Sequence, residues 1–537
     1  MPHPILSSAI ARYFTCIYVI ANMLLHHIFM VVGGALAIKI HNDLTNAIHL
    51  DGTADLFVHF TPFNSSGFTW LEKKDPYFGI QQFDDLNASS AKLSKPSTRA
   101  DKRKAVYEVL TAHAKKTQSS TLEQLRTLGF EAESFWISNC ILIKRAPKFV
   151  FNFIVAFAGT DAGADIVELS PNRIVARIPP IESMLENVSL TDLNIVEKDE
   201  DRKIPWNLRM IKADKVWPIT KGEGIVVANI DTGVDYDHPQ LLASYRGTAT
   251  GLHKVSHEYN WYDPTRVLSL PTDFHGHGTH TIGIMVGSDV GVAPGARWIA
   301  AQGCDSEKCS QERILASAQW VMCPTDVNGT NPRCDLGADI VNNSWGGAVT
   351  DDESLTWFSA TVEAWLAAGV IPIFANGNSG PACRTASTPG DLEGVLAVGA
   401  LDQNASLSFF SSRGPGSAKP GHSKYKPDYV APGQGISSCR AGGGLVPMSG
   451  TSMAAPHLSG VVALLLSVLR SWKIDLTFTD IRNLLAKSCN IQILQQPQLG
   501  QQACYDVRWD TFPNYQYGYG LVDVEKAVQY TRQAHSE

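Results

Sequence analysis

The sequence predicts an α/β protein: a doubly wound, mostly parallel sheet with helices on both faces, preceded by a small α+β unit. Three observations carry this reading. After Ile204, four runs are apolar nearly throughout: "GIVVANI" (Gly224–Ile230), "ADIVNNS" (Ala338–Ser344), "GVIPIFA" (Gly369–Ala375) and "GVLAVGA" (Gly394–Ala400). Strands without polar alternation belong in a parallel sheet covered on both faces. Helical stretches separate these runs, as the crossovers of a parallel sheet require. Before residue 204 the texture differs, with an alternating strand and one long amphipathic helix.

The elements follow in chain order. From Tyr13 to Ile38 there is no Asp, Glu, Lys or Arg, Arg12 precedes the run, and Ala35-Leu36-Ala37 has the small-x-small form of a cleavage site. The run is also as long as the roughly 20 apolar residues a bilayer span needs. Residues 1–37 are therefore expected to be a signal peptide or a retained signal anchor. Either one directs the rest into the secretory route, as a secreted, extracellular protein if the segment is cleaved. Membrane attachment is expected only if it is retained. Residues 50–190 read as the α+β unit. It contains the strand "ADLFVHF" (Ala54–Phe60), a long helix from Asp101 to Leu128, the strand "SFWISNCILI" (Ser134–Ile143), a further helix, and "RIVARI" (Arg173–Ile178). The charge-dense stretch 191–203, ending in Arg202-Lys203, reads as a linker with a processing region. Residues 204–537 form the second domain.

Composition bounds the partners. The 537 residues are 44% hydrophobic and 18% charged, ordinary for a globular core, and carry a net charge of −7. With a pI near 6.1 and no basic stripe, nucleic acid is not the expected partner. Of the ten cysteines, eight follow residue 300, and none shows the paired spacing of a zinc site. Disulfides in an oxidising compartment are expected instead. Nearness in sequence suggests Cys304–Cys309, Cys323–Cys334 and Cys489–Cys504, leaving Cys383–Cys439. Sequons for N-glycosylation begin at Asn64, Asn87, Asn187, Asn328, Asn342 and Asn404.

Four short stretches carry the chemistry. In "IDTGVDYDHP", Asp231 follows directly on a buried strand, where a carboxylate is costly to desolvate unless it is hydrogen-bonded; the ordinary alternative is a turn aspartate. "DFHGHGTHTIG" places His275, His277 and His280 within six positions. His277, at the start of a helix from about Thr279 to Val286, can offer one ring nitrogen to a cleft while the other meets a carboxylate. A metal site would use His277 and His280, but the H-E-x-x-H pattern is missing and no third ligand is evident. His280 then reads as a buried hydrogen-bonded residue and His275 as a rim residue. In "FANGNSGPAC", Asn378 sits in a Gly-rich loop after a strand, where a neutral amide can donate to developing negative charge; a turn-stabilising asparagine is the plain alternative. In "MSGTSMAAPH", Ser452 opens a long apolar helix, and its backbone N–H lies where the helix dipole favours an anion. Pro456 is expected in that helix's first turn.

These stretches resemble the signature motifs of the subtilisin-like serine proteases (subtilases), with Asp231, His277 and Ser452 in that family's order. "IPWNLRMIKADKVW", "NWYDP", "PTDVNGTNP" and "FANGNSGPAC" bring the resemblance closest to the bacillopeptidase F-like branch, over residues from about 204 to 530. The resemblance implies a serine endopeptidase acting on protein or peptide substrates through an acyl-enzyme intermediate. It is made as a precursor whose propeptide serves as intramolecular inhibitor. It also implies Asn378 as the oxyanion donor, Ser344, Trp345 and Gly346 as the edge that pairs with extended substrate, and Ala375, Asn376 and Gly377 as the opposite wall. Trp345 is expected to narrow the groove. No cofactor is required by this chemistry. Calcium is allowed but not placed, because Gln240 stands where many subtilases have an aspartate ligand after "HP". Two rivals are weighed. A sedolisin-like exopeptidase lacks the "DTG" and "HGTH" pair present here, and a non-catalytic subtilase fold acting as a binding module would have no need of intact reactive groups.

Overall fold

In a computed structural model, the residues described are 38–63, 98–177, 204–248, 255–347, 356–416, 423, 425–497, 503–505 and 507–534. The signal segment 1–37 and the linker 191–203 lie outside them. Chain contacts define two compact units. The first gathers described residues of 38–62, 113–135 and 139–172, and the second residue 63 and those of 98–112, 136–138 and 173–534.

The first unit is a five-stranded sheet in the order β1-β5-β2-β4-β3. Its elements are β1 (Lys39–Ile40), α1 (Asn42–Asp51), β2 (Thr53–Phe60), the later part of α2 (Arg99–Thr127), β3 (Glu133–Phe135), β4 (Cys140–Pro147), α3 (Lys148–Ala158) and β5 (Ile166–Pro171). Leu56, Val58, Ile141, Ile143 and Leu169 from the sheet bury against Leu44, Ile48, Val150 and Ile154 from α1 and α3. The stretch expected as one strand, Ser134–Ile143, is instead a hairpin. Asn139 takes a left-handed conformation (φ 48°) before β4. It holds the turn by donating to the Thr61 carbonyl at 2.7 Å and accepting from Gln118 Nε2 at 2.9 Å. Asparagine tolerates that backbone region better than most residues.

The second unit is built on a seven-stranded, wholly parallel sheet, order β14-β13-β12-β11-β7-β9-β8. β6 (Ile174–Arg177) precedes it. The sheet strands are β7 (Val226–Asp231), β8 (Trp261–Tyr262), β9 (Arg297–Gln302), β11 (Ile340–Asn343), β12 (Ile371–Ala375), β13 (Leu396–Leu401) and β14 (Tyr429–Pro432). The helices that matter for the site are α4 (His277–Val286), α5 (Gln311–Met322), α6 (Ser359–Ala367) and α7 (Thr451–Ser471). Every residue of β12 and β13 is buried, the reason those runs read as apolar on both faces. Strand order reverses about β7, with β9 on one side and β11 on the other. The carboxyl ends of β7 and β11 therefore flank the crevice where doubly wound sheets bind ligands. α7 is apolar and long enough for a bilayer, yet 94% of its apolar window is buried, so its hydrophobicity is that of a core helix.

Three differences from the expectations concern this unit. Strand β6 pairs with none of the sheet strands of the first unit; it runs antiparallel to a short strand, β10 (Lys308–Ser310), with Arg177 opposite Lys308 and Ala176 opposite Cys309. The disulfides are Cys304–Cys309, Cys323–Cys334 and Cys383–Cys504. The pairs Cys489–Cys504 and Cys383–Cys439 are thus overturned. Cys439 is a buried free thiol at the end of β15 (Ile436–Cys439), which pairs with β16 (Leu445–Met448), and the Cys489 thiol donates to the Leu485 carbonyl at 3.3 Å. Burial pushes Cys439 up to about 12, which keeps it an unreactive thiol. Finally, Pro456 falls beyond the first turn, because α7 already begins at Thr451.

Candidate active site

β7 delivers Asp231 to the carboxyl edge of the sheet with 1% exposure. Its Oδ1 accepts from the Thr232 N–H at 2.7 Å and stands 2.7 Å from Nδ1 of the equally buried His277. Two glycines allow this approach. Gly276, the residue before α4, is left-handed (φ 93°), a conformation costly for a side chain. A Cβ on Gly278 would stand 2.2 Å from the Gly233 carbonyl oxygen, so only glycine lets α4 start against the end of β7. Burial pulls the His277 ring down, but the Asp231 carboxylate and, more weakly, Asp273 outweigh it and leave its pKa above the ordinary histidine value.

His280, one turn on, is fully buried with Nε2 between the carbonyls of Ile436 (3.0 Å) and Val446 (2.9 Å). Burial lowers it to about 3, which keeps it neutral. The His275 ring lies 6.2 Å from that of His277, at the half-buried rim. The three histidines therefore occupy three different environments.

Ser452 is the second residue of α7, and its hydroxyl donates to the Ser344 carbonyl at 3.2 Å. Among the described residues no hydrogen bond joins it to His277. A serine hydroxyl rotates freely about its Cβ–Oγ bond, and such contacts tighten when substrate binds. The proline four residues on has a local consequence. Pro456 has no N–H to give the Ser452 carbonyl, and that carbonyl instead accepts from Ser344 Oγ at 2.9 Å. The end of β11 and the start of α7 are thereby tied in both directions.

Asn378 is exposed, and its orientation is fixed from behind. Oδ1 accepts from both the N–H and the hydroxyl of Thr451 at 2.8 Å, which turns Nδ2 outward. Nδ2 lies 3.3 Å from where a Cβ on Gly450 would be, and that position is 3.7 Å from the Ser452 Cβ. A side-chain N–H and the N–H groups opening α7 thus converge beside the Ser452 hydroxyl.

Ser344, Trp345 and Gly346 follow directly on β11, and Ala375 ends β12 with Asn376 and Gly377 after it. Gly377 donates to Thr451 Oγ1 at 3.1 Å, and Asn376 Nδ2 donates to the Ser412 carbonyl at 2.7 Å. Trp345 departs from expectation. Its ring is 4% exposed and packs edge-on against Phe358 and Phe374, so the side chain fills the core and does not narrow a groove. Sequence reasoning missed β10 altogether. Three residues at the end of a small disulfide loop carry no periodic signal, and the pairing with β6 reveals them.

Gln240 is hydrogen-bonded on both of its amide atoms. Its Oε1 accepts from Ser288 Oγ (2.8 Å) and the Asp289 N–H (2.7 Å), and its Nε2 donates to Asp289 Oδ2 (2.6 Å). Both acceptor positions of Oε1 are taken by Ser288 and the Asp289 backbone, so Gln240 has no free oxygen to offer a cation at this corner. Among the described residues no group of three or more His, Cys, Asp or Glu is placed to hold a metal.

The fold is thus a doubly wound parallel sheet with a carboxylate–imidazole pair at its carboxyl edge and a serine and an amide at a helix start. Residues 222–520 match the subtilase family, and the chain belongs to it. It is 33% identical to bacillopeptidase F of Bacillus subtilis (strain 168) over 82% of its length, which is 30% of that protein. It is also similar to serine protease AprX of the same organism, 32% identical over 57% of this chain and 66% of that one. Subtilisin-like protease 1 of Arthroderma otae is 29% identical over 60% of this chain and 59% of its own. The chain thus spans less than a third of bacillopeptidase F and under two thirds of the fungal enzyme.

Proposed function

We propose that the chain is a serine endopeptidase hydrolysing peptide bonds through an acyl-enzyme intermediate. The observation that carries this is the buried Asp231–His277 pair facing a helix start where Ser452 lies beside the outward-turned Asn378 amide. In this reading His277 takes the Ser452 proton as the oxygen attacks the carbonyl, and later returns it to the leaving amine. Asp231 holds the ring and stabilises the imidazolium. The Asn378 amide and the Ser452 N–H hold the oxyanion.

Residues 50–190 serve as an inhibitory propeptide, and the groove edge supports this. β6 already pairs with β10, and a Cβ on Gly347 would stand only 2.6 Å from the Val175 carbonyl. In this reading the chain's own residues take the extended position that Ser344, Trp345 and Gly346, opposite Ala375, Asn376 and Gly377, would offer to a substrate backbone. Three disulfides support a secreted protein made in an oxidising compartment. Of the described sequons, Asn328 and Asn404 are exposed and open to glycosylation, whereas Asn342 is fully buried. The test is labelling of the processed protein with a fluorophosphonate together with cleavage of an unstructured protein. Both are expected, and both are lost in Ser452→Ala. A wild-type chain that is folded yet neither labelled nor active overturns the reading.

A further inference from the structure

We propose that Asp273 is a positioning residue for the catalytic base, tying the turn after Asp231 to the start of the helix that carries His277. The inference rests on the triad reading above.

The start of α4 has no side-chain cap from its own capping residue. The first N–H groups of any helix need partners, usually from the side chain at the capping position. Here that position is Gly276, which has no side chain and whose left-handed backbone disfavours one. Asp273, outside the helix, supplies the missing acceptors. Oδ1 accepts from the N–H groups of His275 (3.1 Å) and Gly276 (2.8 Å), and Oδ2 from the Thr279 N–H (2.9 Å) and hydroxyl (2.7 Å). A negative charge at a helix N-terminus is also favoured by the dipole.

The same carboxylate reaches across to β7. Its Oδ1 accepts from Thr232 Oγ1 at 2.9 Å, and that oxygen accepts in turn from the Gly278 N–H at 3.0 Å. The Thr279 hydroxyl accepts from the Asp235 N–H at 3.0 Å, closing a second link. Of the residues on either side of His277, Gly278 is therefore bonded directly to the residue following Asp231, and Gly276 through the Asp273 carboxylate. The 2.7 Å contact between the ring and Asp231 depends on this spacing being held. Misplacement of a reacting group by a fraction of an ångström lowers turnover without weakening substrate binding.

Asp273 also contributes charge. The titratable groups about His277 are Asp231, Asp273, His275 and His280, with His457 on α7 and the Cys439 thiol on β15 beyond them. Of these, Asp231 and Asp273 raise its pKa. Removing the Asp273 charge therefore lowers it.

The experiment uses the processed enzyme, with rates normalised to fluorophosphonate-titrated sites. In Asp273→Asn, kcat is expected to fall about tenfold or more with KM within about twofold, and the acid limb of kcat/KM to move to lower pH. In Thr232→Val, which breaks the bridge and leaves the charge, kcat should fall with the limb unmoved, and Thr232→Ser should restore it. Unchanged kcat per titrated site and an unmoved limb in Asp273→Asn overturn the inference. If that variant does not fold, equal kcat in Thr232→Val and Thr232→Ser overturns it. A wild type that is neither titrated nor active would instead remove the protease reading itself.

Discussion

His277 shows how a single residue's chemistry is set by what surrounds it. Burial alone would depress the ring, as it does for His280, which falls to about 3, and His457, which falls to about 4. Asp231 reverses the sign at His277 alone. A base must be neutral to accept a proton, so a raised pKa moves the loss of activity upward in pH. The acid limb of kcat/KM should therefore lie above about 6.5, the ordinary histidine value, and Asp231→Asn should both lower it and reduce kcat severely. A pH–rate profile with its limb well below 6 would contradict the assignment. Asn378 is the cleanest single test of the oxyanion reading. Its Oδ1 is already held by Thr451, so Asn378→Leu removes one donor and is expected to lower kcat by about 10²–10³ with little change in KM. These residues were legible in the sequence because each sits in a short motif whose neighbours must be small or glycine, as Gly276, Gly278 and Gly450 are. Trp345 was not, since nothing in a linear stretch says that Phe358 and Phe374 will enclose its ring.

The elements were legible where they are long and periodic, and lost where they are short or defined by a distant partner. The four apolar runs became β7, β11, β12 and β13, each within two residues of its expected ends. β10 is only three residues, and the Ser134–Ile143 stretch hid a turn. What places β11 at its amino end is also invisible in one dimension. Asp339, just before it, bonds the Val226 N–H of β7 at 3.0 Å and meets the guanidinium groups of Arg103 (2.8 Å), Arg99 (3.1 Å) and Arg470 (2.6 Å). Burial would raise this carboxyl, but the three cations bring it down to about 2. A carboxyl depressed on folding contributes stability that is complete above its unfolded value near 4 and is lost as pH falls through the folded one. Stability should therefore decline between about pH 4 and pH 2, and Asp339→Asn should cost about 2–4 kcal/mol at neutral pH while flattening that decline. Denaturant unfolding at several pH values checks both. At the other end of β11, Ser344→Ala would leave the Ser452 carbonyl, already deprived of a partner by Pro456, without its acceptor bond. A loss of about 1–3 kcal/mol is expected, measured against Ser344→Thr as the hydroxyl-retaining control.

At the scale of the whole molecule, the unit that carries the candidate site also holds β6, paired with β10. The sequence showed an α+β unit before a catalytic-type domain but assigned "RIVARI" to the former. The backbone instead pairs Ile174–Arg177 with Lys308–Ser310, a long-range contact that local patterning cannot encode. The disulfides failed for a related reason. Nearness in sequence fits Cys304–Cys309 and Cys323–Cys334, which close loops of 5 and 11 residues, but Cys383 and Cys504 are separated by 121 and meet only once the sheet has formed. If β6 occupies the substrate edge as proposed, it competes with substrate for the same backbone donors and acceptors, so the precursor should be less active than the form from which it has been removed. If the chain cuts itself, the cut depends on Ser452. Ser452→Ala should then accumulate as the full-length precursor on a denaturing gel, while the wild type yields a shorter band whose first residue lies C-terminal to Arg177. Adding a peptide spanning residues 165–177 to the processed wild type should raise the apparent KM for a peptide substrate and leave kcat unchanged. A mature band in Ser452→Ala would assign processing to another protease, and a peptide that lowers kcat without raising KM would place β6 away from the substrate path.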